Sequence, residues 1–193
     1  MLRVKSRIEW AKWYVNRAIW RSVPMRWRRV GKHAPLSMIL LQRHPYTFSD
    51  EDIRRAAERA WSLSFSDAEG STRRVTKSDD GVFLQAGPHR FSFVNQPKPY
   101  EEKPEEDLGW LPKQSQQRAW AEHTACCWVC YLTTKTNLEL AHCILAKVLV
   151  QLLDENCAGV YVPSESSLIP AEEASMELQR MGSYRFSGLV PES

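Results

Sequence analysis

The stretch HTACCWVCYLT, residues 123–133, reads as a strand centred on 126–131. Alternation along a strand puts Cys126, Trp128 and Cys130 on one face and Cys127 on the other. Downstream, Asn137 is placed to cap the run LELAHCILAKVLVQLLDEN, residues 138–156. That helix is apolar nearly all round, so it should be buried against a sheet and a further partner. The next run, AGVYVP at 158–163, has the pattern of an edge or near-edge strand that Pro163 limits. A short amphipathic helix, EEASMELQRM at 172–181, follows.

Working upstream, SMILLQ at 37–42 is a short apolar strand, and FSDEDIRRAAERAW at 48–61 carries a helix start signal. Ser49 or Asp50 can cap it, acids fill its first turn, and Ile53, Ala56, Ala57, Ala60 and Trp61 make an apolar stripe. The polar stretch 66–80 reads as a loop containing a short strand through Val75. Runs 81–84 and 90–94 flank AGPH as a hairpin. The proline-rich, acidic tract QPKPYEEKPEEDLGWLP, residues 96–112, is expected to cross the surface before a helix near 114–122. This order predicts an α+β fold, a mixed two-layer α/β sandwich with a partly antiparallel sheet and an N-terminal helical appendage. The domains expected are an arm over 1–35 and one mixed domain over 36–193.

Four blocks carry a resemblance: SMILLQRHPY, FSFVNQPKPY, AEHTACCWVCYL and HCILAKVLVQLLDENCAGVYVPSESSL. Their order over 37–171 resembles a bacterial family of uncharacterised domains, the domain-of-unknown-function family numbered 4261. His123 stands where members of that family often place a histidine before a strand. The resemblance implies no catalytic role, and the N-terminal arm lies outside it.

Charge divides the 193-residue chain. Residues 1–35 hold ten Lys or Arg against the single acid Glu9, a net +9, whereas the rest holds 16 basic and 22 acidic residues, a net −6. The formal total of +3 hides a basic arm on an acidic body. The segment 7–23 has helical periodicity, with Trp10, Trp13, Tyr14 and Trp20 grouped, until Pro24 ends or kinks it and leaves Trp27 on a second turn. Trp10, Trp13, Arg17, Trp20, Arg21 and Trp27 are the candidate binding residues. Indoles would anchor and guanidiniums orient. The expected partner is a protein surface or the chain's own body, then an anionic membrane surface, then nucleic acid. No apolar run reaches the length of a membrane span or signal core, so the expected location is cytoplasmic, with peripheral membrane attachment as a variant.

The function expected from these features is binding, adaptor or regulatory work, with no cofactor. The alternative is a small hydrolase or metal-dependent enzyme built on His123, Cys126, Cys127, Cys130, His142 and Cys143, because imidazole and thiolate bind zinc and a histidine can activate a thiol. The spacing lacks paired CxxC motifs, and five cysteines in a chain of this size favour reduced thiols in packing. Neither GPHRF nor GSYRF has the glycine spacing of a phosphate loop.

Overall fold

A computed structural model describes residues 36–183 apart from 67, 69, 80, 107 and 134–136. Seven strands, β1 (Ser37–Gln42), β2 (Arg73–Ser78), β3 (Gly81–Ala86), β4 (His89–Gln96), β5 (Ala125–Tyr131), β6 (Cys157–Val162) and β7 (Ser167–Pro170), form one sheet. Its order is β2-β3-β4-β5-β1-β6-β7. Four helices of the described residues pack on it: α1 (Asp50–Trp61), α2 (Gln114–Glu122), α3 (Leu138–Leu149) and α4 (Ala171–Gly182).

The sheet is antiparallel at every pairing, which corrects the mixed, partly antiparallel expectation. The reason lies in where β1 sits. β5, α3 and β6 form a strand-helix-strand crossover, and its two strands run parallel to each other, as such a connection demands. They flank β1, however, so they are not hydrogen-bonded to each other. Ile39 faces Trp128 on one side and Tyr161 on the other.

Apolar residues on both faces of the central strands demand cover on both sides. Met38, Leu40, Cys127, Val129, Val160 and Val162 meet α1, α3 and α4 on the first face. Ile39, Leu41, Cys126, Trp128, Cys130 and Tyr161 belong to a second core with Ala119 and Trp120 of α2. The fold therefore has helices on both faces, where two layers were expected.

Local signals explain the helix ends. Ser49 caps α1 through a reciprocal capping box with Asp52, and Ser62 closes the helix in the left-handed region at φ 56°. Asn137 caps α3 by accepting from the Glu139 amide at 2.9 Å. Its buried set, Ala141, Cys143, Ile144, Leu145, Ala146, Val148 and Leu149, spreads around the helix as its composition requires. The hairpin loop Gly87-Pro88 places glycine at φ 59°, the sign that a two-residue loop of the II′ kind needs at its first position.

Two features depart from the sequence reading. The tract 96–112 contributes Tyr100, Leu108, Trp110 and Leu111 to the second core, so it is a cover and not merely a surface crossing. β7 is an additional edge strand beyond β6. It is four residues long, ends on Pro170, and is tied to α2 where Gln116 Nε2 donates to the Leu168 carbonyl at 2.7 Å. The expected helical appendage lies outside the described residues.

Gly159 packs where β6 meets β7 and α2: a Cβ there would stand 2.8 Å from the Ile169 carbonyl oxygen and 3.3 Å from Leu168 Cδ1. Gly159→Ala should therefore lower stability by about 1–3 kcal/mol through overpacking. Urea unfolding checks this, and an unchanged midpoint would contradict the packing at the β6–β7 junction.

Candidate functional site

The histidines and cysteines singled out by sequence divide between the two faces of the sheet. Strand alternation sends Cys126 and Cys130 into the second core and Cys127 into the first, as the spacing predicts. Cys143, on α3, belongs to the first core. His123 follows α2 on the second side, with its ring 5.3 Å from that of Trp120. His142 is on α3, so the sheet lies between the two histidines.

His123 is 2% exposed and uses both ring nitrogens. The Tyr100 amide donates to Nε2 at 3.0 Å, so Nδ1 carries the proton and donates to the Trp120 carbonyl. Burial lowers its pKa, opposed by the bond to Trp120, and the neutral ring is the form that fits. A ring with both nitrogens engaged has no lone pair left to accept a proton from a thiol or water. His123 instead fastens the 96–112 cover to the end of α2.

Two further histidines, His89 and His142, are buried or half-buried. His89 Nδ1 lies 2.6 Å from the Tyr131 hydroxyl, and burial lowers its pKa. His142 Nε2 stands 3.9 Å from Glu165, beyond hydrogen-bonding range, and burial outweighs that carboxylate in lowering its pKa.

All five cysteines are unpaired by disulfides and buried. Desolvation pushes Cys126, Cys130 and Cys157 up to about 12, and raises Cys127 and Cys143 as well. At neutral pH these groups are thiols, the form that does not attack carbonyls. Among the described residues no three His, Cys, Asp or Glu side chains are arranged to hold a metal ion.

What the second face does assemble is an aromatic cluster that sequence reading did not single out. Trp110 and Trp120 meet edge to face at 5.1 Å, and Tyr161 contacts both, at 5.7 and 5.3 Å. Tyr100 lies 5.3 Å from Trp128 and from Tyr161. Edge-to-face rings are favourable beyond the area they bury, by about 0.5–1.5 kcal/mol per pair. The indole nitrogens of Trp110 and Trp120 are buried without a hydrogen-bond partner among the described residues. The available signal was the spacing of Tyr100, Leu108, Trp110 and Leu111 within a tract whose prolines and acids otherwise read as surface.

The binding candidates Trp10, Trp13, Arg17, Trp20, Arg21 and Trp27 all lie outside the described residues. The body fixes the point where the arm joins it: Leu36 is buried, and its carbonyl accepts from the Tyr131 amide at 2.8 Å. No helix of the described residues is long and apolar enough to cross a membrane.

Because burial lowers the pKa values of His89, His123 and His142 below the ordinary 6.5, the unfolded chain takes up protons first as pH falls. Stability should therefore be full above about pH 6.5 and decline below it. His123→Phe should lower overall stability and make that decline shallower, as read by urea unfolding at pH 7.5, 6 and 5; an undiminished slope would contradict a neutral, buried His123. In the native protein Cys126, Cys127, Cys130 and Cys157 should resist iodoacetamide at pH 8 and react once urea unfolds the chain. Rapid native labelling of any of the four would contradict their burial.

Comparison with protein-family models, with curated proteins and with solved structures finds no match.

Proposed function

We propose that this chain is a binding and adaptor protein: the folded body is a platform, and residues 1–35 are a docking segment for a protein surface. The observation that carries the reading is the charge division, +9 on the arm against −6 on the remainder, combined with four tryptophans among the arm's 35 residues. Tryptophan and arginine are the residues that most often dominate interfaces, through large desolvated area and oriented donors. The reading is supported from the other side by the body's chemistry. Its buried thiols and its doubly bonded His123 fit packing roles, which favours binding work over a hydrolase built on His123. The block order over 37–171 supports placing the body with the uncharacterised family numbered 4261, as part of the same proposal. A cytoplasmic site of action fits the reduced cysteines.

The test places a photo-crosslinking phenylalanine analogue at Trp20 in the full chain, with the same analogue at exposed Gln179 as control. Irradiation should give discrete products from position 20, within the chain or to another protein, that the control lacks. Two results would contradict protein docking: no product specific to position 20, or sedimentation with anionic vesicles that Trp20→Ala abolishes.

A further inference from the structure

The two halves of the sheet are covered unequally. α1 lies against β2 and β3 on the first face. On the second face α2 sits over β6 and β7, and no helix of the described residues covers β2, β3 and β4 there. The pairing register defines what that face carries. Arg74, Gln85 and Arg90 form one row across the three strands, and Thr76, Phe83 and Ser92 form the next, continued by Cys130 on β5. Phe83, Thr76 and Val94 are half-buried, Ser92 and Cys130 are buried at the floor, and Arg90 is exposed.

The two arginines differ from seven other cations of the body. Arg43, Arg54, Arg55, Lys103, Lys113, Arg118 and Arg180 pair with carboxylates. Arg74 and Arg90 form no ion pair with a described residue. Cationic side chains on an edge strand discourage strand addition, which accounts for β2's charges in general. Arg90 is on β4, two strands in from that edge, so edge protection does not account for it.

We infer that the occupant of this face is the chain's own arm, laid across β2–β4 with its Glu9, Trp13 and Trp20 toward the sheet. The inference rests on the reading of 1–35 as a docking segment and gives that segment a resting place. Three arguments converge on it. At about 100° per residue, Glu9, Trp13 and Trp20 fall within about 40° of one another on the helix predicted over 7–23, so the arm's only acid shares its indole stripe. That carboxylate meets Arg74 and Arg90, which have no ion-pair partner among the described residues and whose guanidiniums also stack favourably on indole faces. The exposed Leu138, at the start of α3 next to Glu139, and Met176, on α4 beside Glu172, Glu173 and Glu177 in sequence, are rival patches that suit the arm's cations but offer no partner for Glu9.

Dimensions agree. A 17-residue helix is about 25 Å long. Six-residue strands span about 20 Å, and three of them about 10–14 Å across. From Leu36 at the start of β1, the centre of β3 is three strand spacings away, about 15 Å. The linker 24–35 reaches up to about 40 Å when extended, so it can make the connection. Docked there, the arm gives β2–β4 the apolar cover that α2 gives β6 and β7. A protein partner that takes the indoles must first lift them from Phe83.

The test is a charge exchange read by cross-linking in the full chain. With the photo-crosslinking analogue at Trp13, products mapped by mass spectrometry should fall within 73–96. Glu9→Arg should reduce their yield by about threefold or more, as loss of a partly desolvated ion pair would. Combining it with Arg74→Glu and Arg90→Glu should recover at least about half of the yield. An unchanged thermal midpoint of the body in each variant secures the comparison. Products mapping to the Leu138 end of α3 or to α4 around Met176, or no recovery in the exchanged variant, would overturn the placement. Products to another protein alone would overturn it and leave the docking-segment reading intact. No protein product at all would remove both.

Discussion

Burial of β1 between β5 and β6 is the constraint on which the remaining structure depends. Both neighbours are antiparallel to it, and Met38, Ile39, Leu40 and Leu41 are at most 1% exposed. A strand apolar on both sides forces two layers of cover, and the chain supplies them unequally. Three helices close the first face. The second is closed over β5, β1, β6 and β7 by α2 with the aromatic tract, and His123 joins those two pieces. The uneven cover then follows from topology, since β2–β4 form a three-strand meander with no connection long enough to leave a helix on their second face.

The same constraint explains how the chemically suggestive residues are used. Cys126, Cys127 and Cys130 are close in sequence, yet on a strand they are consigned to opposite cores, with the sheet between them. Desolvation then stabilises the neutral thiol over the thiolate. His123 and His142 are likewise on opposite sides, and the better buried of them is locked by two backbone bonds. Linear clusters of histidine and cysteine are thus accounted for by packing: a small polarisable side chain fills central-strand positions where larger ones would crowd the aromatic cluster.

Local features were legible in the sequence where local energetics decide them. Ser49 and Asn137 cap helices as their positions indicate, the glycine-proline loop makes its hairpin, and the continuous apolar run of α3 is buried. Long-range features were not. Strand order, and with it the exclusively antiparallel pairing, depends on β1 entering between two strands from far along the chain, and periodicity carries no information about that choice. β7 was missed because four residues ending in proline make too short a pattern. The cover formed by Tyr100, Trp110 and Leu111 was missed because the prolines and glutamates around them read as solvent-facing, although Glu101 and Pro104 are buried with the cover. For the candidate site, sequence identified the face alternation of the cysteines but not that both nitrogens of His123 are committed, since one of those bonds comes from Tyr100 in the tract upstream of the helix.

Native-state hydrogen exchange tests the central role of β1 most directly. Amides of Ile39, Leu40 and Leu41 on β1, and of Cys127, Trp128 and Val129 on β5, should exchange only through global unfolding, and those of β2 through smaller local openings. Equal or faster exchange in β1 and β5 than in β2 would contradict a fold organised around β1.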